Sequence, residues 1–179
     1  MGETKSEHPA GLFYGLKDYA GLGRRLLILS IDAMVLFIGY VLTMVAFGLS
    51  LLGTSSFHIY ALCFGAFCYL YLAVLARSRF GTVGYALTAV RIVDLTGERP
   101  SLACMSYRSV FALFGPLNAL LDLVWLGGDN NRQALRDKLA GTYVIRRGAV
   151  PAGVGPQKLV FISFLGWNLL VREVSQGAT

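Results

Sequence analysis

Asp32 is a carboxylate inside an apolar run, LLILSIDAMVLFIGYVLTMVAFGLSLL, residues 26–52, which holds 27 residues and one formal charge. A lipid-crossing helix needs about 20 apolar residues. A carboxylate at its centre costs roughly 3 kcal/mol. A group kept at that cost does one of two kinds of work. Desolvation raises its pKa and a nearby arginine lowers it, so a carboxylate poised between the two exchanges a proton for a small cation. Otherwise it closes a structural ion pair, with Arg25 or Arg108, that fixes the register of its helix. Arg25 stands seven residues earlier, roughly 10 Å along a helix axis. From there its guanidinium either turns inward or snorkels to lipid phosphate.

Arg108 and Asp122 pose the same question in a second apolar run, 101–126. At 100° per residue they fall within about 40° on one helix face, which would make a polar lining. They are too far apart to pair in a straight helix. The opposing reading lets Arg108 snorkel and leaves Asp122 near the surface. Asp137 lies between Arg136 and Lys138. It either gates or contacts a ligand near the membrane, or it joins a local charge network.

Other chemistry is poorly provided for. The serines have no base and orienting group that the sequence can assign to them. His8 and His58 are isolated and make no metal-ligand set. Gly81 and Gly84 lead to no Gly-Lys-Ser/Thr, so they do not form a phosphate loop. Cys63, Cys68 and Cys104 fit neither a disulfide framework nor zinc spacing. The expectation is a protein that is not an enzyme, with no cofactor and no metal.

The elements that must position these residues are membrane elements. The chain has 179 residues, is 55% hydrophobic and only 15% charged, whereas soluble domains are nearer a quarter charged. The net charge of +6 is concentrated beside apolar runs. The positive-inside rule accounts for it, so the expected partners are the bilayer and anionic lipid headgroups, with no nucleic acid. The first apolar run is too long to be the core of a cleavable signal. Helices are expected at about 25–50, 57–76 and 101–126. The first two form a transmembrane hairpin whose charge-free turn, Gly53-Thr54-Ser55-Ser56, lies outside. Arg25 and the pair Arg77 and Arg79 then lie inside, which places the N-terminus in the cytoplasm and the chain in the plasma membrane as a multi-pass protein.

On the first helix Arg25, Asp32, Gly39 and Ala46 share a stripe, because positions seven apart drift only about 20°. Small residues at such spacing let helices approach in lipid. Ala61, Gly65, Cys68, Ala73 and Ala76 of the second helix are the expected counterpart. The run 101–126 contains Gly115-Pro116, and proline breaks a helix. It is expected as a kinked or broken pair that returns to the cytoplasmic side, because seven basic residues follow it.

Around these helices the sequence predicts smaller pieces. Residues 1–23 read as a polar arm, interfacial where Phe13, Tyr14 and Tyr19 occur. A strand is expected at 88–94 and another at 142–146, paired in a small cytoplasmic β element. Asp129 is the expected cap of a short helix that Gly141 ends. The tail is 148–179, and its run 159–171 is too short to span, so an interfacial helix is expected there. The predicted fold is mainly α and integral to the membrane, with a membrane domain over 24–147.

Three stretches carry a resemblance. They are YAGLGRRLLILSIDAMVL, then GTVGYALTAVRIVDLTGERPS followed by Arg108, then NRQALRDKLAGTYVI. In their order and spacing the chain resembles the RDD family of small multi-pass membrane proteins, over most of residues 19–147. The resemblance matches the family's one arginine and two aspartates to Arg25 (with Arg24 beside it), Asp32 and Asp137. Tyr85 stands where the family often has lysine, and Arg136 where it often has histidine. The resemblance implies a transport role, with cation/proton exchange among the proposals for the family.

Two functions follow as expectations. One is a small transporter or exchanger, a homo-oligomer because two or three spans enclose a pathway poorly. The other is a non-transporting scaffold or accessory subunit that presents a basic cytoplasmic lobe.

Overall fold

A computed structural model of the chain describes residues 9–50, 55–111, 122, 125, 133–164 and 167–175. A proline-free apolar run gives helix α1, Leu22–Ser50. Helix α2, Ser55–Tyr69, continues without a break into a π-helical segment, Leu70–Leu75. Two stretches, Leu22–Gly48 and Phe57–Leu75, are long and apolar enough to cross a membrane. Only 11% of each is buried within the chain, which separates them from the core helices of a soluble protein. Phe37 and Leu62 are 65% and 74% exposed. Exposing such area to water costs about 25 cal/mol per Å², and lipid removes that cost.

The inward face of α1 begins as the sequence predicts and then drifts. Ile28 and Asp32 are buried, and a Cβ on Gly39 would collide with the Phe67 ring of α2. Ala46 is exposed while Phe47 is half-buried, as the rotation of a seven-residue stripe on a 3.6-residue helix requires. The expected counterpart on α2 holds only in part. Ala73 and Ala76 are buried, but Ala61 and Gly65 are exposed.

Past α2 the chain turns through Gly81 into a short helix α3, Val83–Leu87, and strand β2, Val90–Asp94. Strand β3, Thr142–Arg146, pairs antiparallel with β2, Val90 opposite Arg146 and Asp94 opposite Thr142. This is the predicted small β element. Its two faces are both covered. Val90, Ile92 and Val144 join Ile28, Ala73 and Met105, whereas Val93, Tyr143 and Ile145 join Tyr14 and Tyr19. Helix α4 is Leu102–Val110, with Ser101 as its cap. Helix α5 is Leu135–Ala140 and ends at Gly141 in the left-handed region, φ 62°, the role the sequence assigns to that glycine.

The expectation of a mainly α fold is overturned. Strands make up 26% of the described residues, in two antiparallel sheets, and two helices among the described residues are candidate spans. The second sheet has the order β1-β4-β5, with β1 at Ala10–Tyr14, β4 at Pro151–Phe164 and β5 at Trp167–Val174. The run 159–171, expected as one interfacial helix, is two arms of a hairpin in which Val160 faces Val171 and Phe161 faces Leu170. Val160, Ile162 and Val171 are β-branched and suit a pleated surface. At the other end of the chain, Tyr14 and Tyr19 are buried against Tyr143 instead of lying among headgroups. Of the run 101–126, the part after Phe111 lies outside the described residues except for Asp122 and Trp125. The expected break at Gly115-Pro116 is in that part. Asp129 also lies outside the described residues, and the helix that Gly141 ends starts at Leu135 with Ala134, not Asp129, at the cap position.

Two buried carboxylates as a candidate functional site

The structure distributes the candidate residues over two centres, and neither contains the pair Arg25 and Asp32. The first centre is Asp137, which is fully buried. Its helix α5 is held between α4 and β3, so the carboxylate points into the protein from the first turn. Arg25, at the start of α1, donates through Nη1 to Oδ2, and Arg108 of α4 donates through Nη1 to Oδ1. The side chains of Arg25 and Arg108 are 9% and 5% exposed. The Arg25 Nε also donates to the Ala20 carbonyl at 3.1 Å, and Arg108 Nη1 donates to the Thr142 hydroxyl. The Ala134 N–H reaches Asp137 Oδ2 at 3.4 Å. One carboxylate thus ties α1, α4, α5 and, through Thr142, β3.

Charge decides the ionisation of this centre. Burial works to raise the Asp137 carboxyl, but Arg108, Arg25 and Arg136 outweigh it and hold the pKa at about 2. Burial works to lower the Arg108 guanidinium, and Asp137 beside it raises it above its usual value. This is a salt-like centre in which every group is charged at neutral pH.

Asp122 and Arg136 lie at its edge. Arg136 Nε is 3.0 Å from Asp122 Oδ2. The Asp122 Oδ1 is buried and has no hydrogen-bond partner among the described residues. Burial pushes this carboxyl up, with Arg136 opposing. Arg108 and Asp122, expected to share one polar lining, have found different partners.

The second centre is Asp32, which has no cation on it among the described residues. Oδ1 accepts from the Tyr71 hydroxyl at 2.7 Å and from the Gly84 N–H at 2.9 Å. Oδ2 accepts from the Thr82 hydroxyl at 2.8 Å. The Tyr71 hydroxyl in turn accepts from the Val83 N–H at 3.1 Å, and Thr82 Oγ1 caps α3 by accepting from the Tyr85 N–H. Asp32 therefore receives one orphan N–H at the first turn of α3, that of Gly84, while its partners Tyr71 and Thr82 take those of Val83 and Tyr85. Gly84 is needed here, because a Cβ would come within 2.8 Å of both Asp32 Oδ1 and the Ile28 carbonyl.

Sequence reasoning missed Tyr71, Thr82 and Gly84 as partners of Asp32, and Thr142 as a partner of Arg108. A signal existed for one set. A Thr just before a short helix with a Gly at its second position is a helix-start pattern, and helix starts attract carboxylates. Arg25, Asp32 and Asp137, the three residues matched to the family's name, thus do different work.

A model of the RDD family matches residues 19–141, which includes both centres. No curated protein and no solved structure matches the chain. RDD proteins are membrane proteins, in agreement with the two apolar helices.

Proposed function

Because this chain belongs to the RDD family, we propose that it is a small ion-coupled transporter, a cation/proton exchanger that crosses the plasma membrane more than once. Its N-terminus is cytoplasmic, which puts Arg25, Arg77 and Arg79 on the positive side. It is not an enzyme, and it takes no nucleic acid.

The observation that carries the reading is the buried network of three arginines and two carboxylates at the start of α1. Among the described residues Asp137 is committed to two arginines, while Asp122 has one, Arg136, and a buried oxygen that no hydrogen bond satisfies. Asp122 is the member that can change protonation or partner without dismantling the rest. Arg25, Arg108 and Asp137 set the field around it. Asp32, saturated by neutral donors, positions α3 and carries no cation.

Two spans enclose a pathway poorly, so the working form is a homo-oligomer. Gly65 of α2 is the contact that suits it. It is exposed, and a Cβ there would meet nothing within 4 Å in its own chain. Small residues on a lipid-facing helix are where a second helix packs.

The test is the full chain in vesicles with a trapped pH dye and an imposed sodium or potassium gradient. The expected result is gradient-driven proton movement above that of protein-free vesicles, reduced at least several-fold by Asp122→Asn. A rate equal to that of protein-free vesicles ends the transport reading. Wild-type rates in Asp122→Asn would move the site elsewhere.

A further inference from the structure

The hairpin of β4 and β5 is poorly built for water. Where β4 leaves β1, at Pro156, its only remaining strand neighbour among the described residues is β5. From there on the two arms form a two-stranded ribbon, covered by α5 at its base where Val171 is buried, and beyond that base such a ribbon is marginal in water without cover. On one face Leu159, Phe161 and Leu170 are 63%, 72% and 53% exposed. The register places Phe161 opposite Leu170 and Leu159 opposite Arg172. On the other face Val160 is 37% exposed and Ile162 and Leu169 are half-buried. Apolar groups on both faces leave no side of the ribbon suited to solvent.

Charge is confined to its base. Lys158, Arg172 and Glu173 sit there, and Glu173 is 3.7 Å from Lys138 of α5. Lys158 and Arg172 are exposed, and among the described residues no ion pair engages either one. A cavity of about 620 Å³ opens beside them, lined by Ser101, Gln157, Leu159, Leu170 and Arg172 among others.

We propose that this hairpin dips into the interfacial layer of the membrane that the chain's own helices cross, with Lys158 and Arg172 as a basic collar on anionic lipid headgroups. Two observations choose lipid over another occupant. The apolar arms rise from a collar of net positive charge, Lys158 and Arg172 against Glu173, which lies opposite Lys158 and pairs with Lys138, and this complements an anionic leaflet. The same chain carries two candidate spans, so a bilayer is within reach by construction. The depth is limited. Among the described residues no strand pairs with either outer edge of the ribbon, and open sheet edges are not tolerated in hydrocarbon. The arms therefore stop at the headgroup and upper acyl level, where the backbone still meets water. The proposal stands on membrane residence alone and does not require transport.

The experiment uses the full chain in nanodiscs, with Cys63, Cys68 and Cys104 replaced by Ala or Ser and a spin label on Phe161→Cys. Collisions with oxygen and with a water-soluble nickel chelate report depth. In discs with anionic lipid the label is expected to collide mainly with oxygen. In wholly zwitterionic discs that preference should weaken, and Lys158→Gln or Arg172→Gln should each lower interface occupancy roughly five-fold. A label on exposed Val150→Cys, away from the ribbon, should stay nickel-accessible and report that the oxygen preference is local to the ribbon. Nickel-dominated collisions at 161 in anionic discs would overturn the proposal. So would short-range spin–spin coupling that vanishes on dilution with unlabelled protein, because the occupant would then be a second copy.

Discussion

Asp137 and Asp32 are both buried acids of one chain, and they are kept in opposite ways. Asp137 answers two guanidiniums and sits between elements that are distant in sequence. Asp32 answers two hydroxyls and an N–H, all neutral, and two of these donors lie at the start of α3. The first is held by charge and the second by hydrogen bonds. A buried carboxylate therefore does not announce its role by burial. Its partners decide whether it neutralises other charges or caps a helix.

The largest test of this difference is Asp137→Asn. It leaves Arg25 and Arg108 buried without their counter-charge, which costs about 3–5 kcal/mol when one partner of a buried pair is removed. The expected outcome is a steep drop in the thermal midpoint of the full chain in detergent. A double replacement of Asp137 and Arg108 by apolar residues should be milder than Asp137→Asn alone, since it leaves one buried guanidinium, that of Arg25, without its counter-charge instead of two. The same centre sets an acid limit. Its folded-state pKa, at about 2, lies below the usual 3.8. The stabilisation is present above the usual value and is lost as pH falls from about 4 towards 2. In Asp137→Asn that part of the acid profile should disappear. An unchanged profile would mean that Asp137 is not held by charge.

Gly84→Ala tests the other centre with an intermediate effect. The added methyl meets Asp32 Oδ1 and the Ile28 carbonyl, both at 2.8 Å, and one of the two is backbone. Overpacking of this kind costs about 1–3 kcal/mol. Gly65→Ala, with open space around it, should stay within about 0.5 kcal/mol in the isolated chain. Equal midpoints for the two alanine variants would break the claim that Asp32 and α3 are in tight contact.

How much of this was legible in the sequence follows from the range of the interactions. The inward turn of Asp32 could be read because it depends on the period of one helix. The pairing of 88–94 with 142–146 and the stop at Gly141 could be read from alternation and turn chemistry. The partner of Arg25 could not. Asp32 is seven residues away and Asp137 is 112 away, and sequence reasoning favours the near one although the helix itself holds that pair roughly 10 Å apart along its axis. The β-rich tail was misread for a related reason. An apolar run of 13 residues is equally a helix or two strands by hydropathy, and β4 is fixed by β1, more than 130 residues earlier in the chain. Asp122 was visible as a charge in an apolar run, but its bond to Arg136 depends on how a helix after the run is placed.

The smallest test asks whether Tyr71 serves Asp32 or only packs beside it. Tyr71 lies in the π-helical segment of α2, and such segments recur where a helix must re-aim a side chain. Its hydroxyl donates to Asp32 Oδ1 and accepts from the Val83 N–H, so it bridges α2, α1 and α3. Tyr71→Phe removes both bonds but leaves Gly84 and Thr82 on the carboxylate. The expected loss is about 1 kcal/mol, well below that of Asp137→Asn. In an Asp32→Asn background the Tyr71→Phe effect should change, because the two residues share one hydrogen bond and coupled neighbours are not additive. Strict additivity in a double-mutant cycle would leave the hydroxyl serving Val83 alone. Asp32 would then be held by two donors, Thr82 and Gly84, both from the start of α3, and α2 would take no part in fixing it.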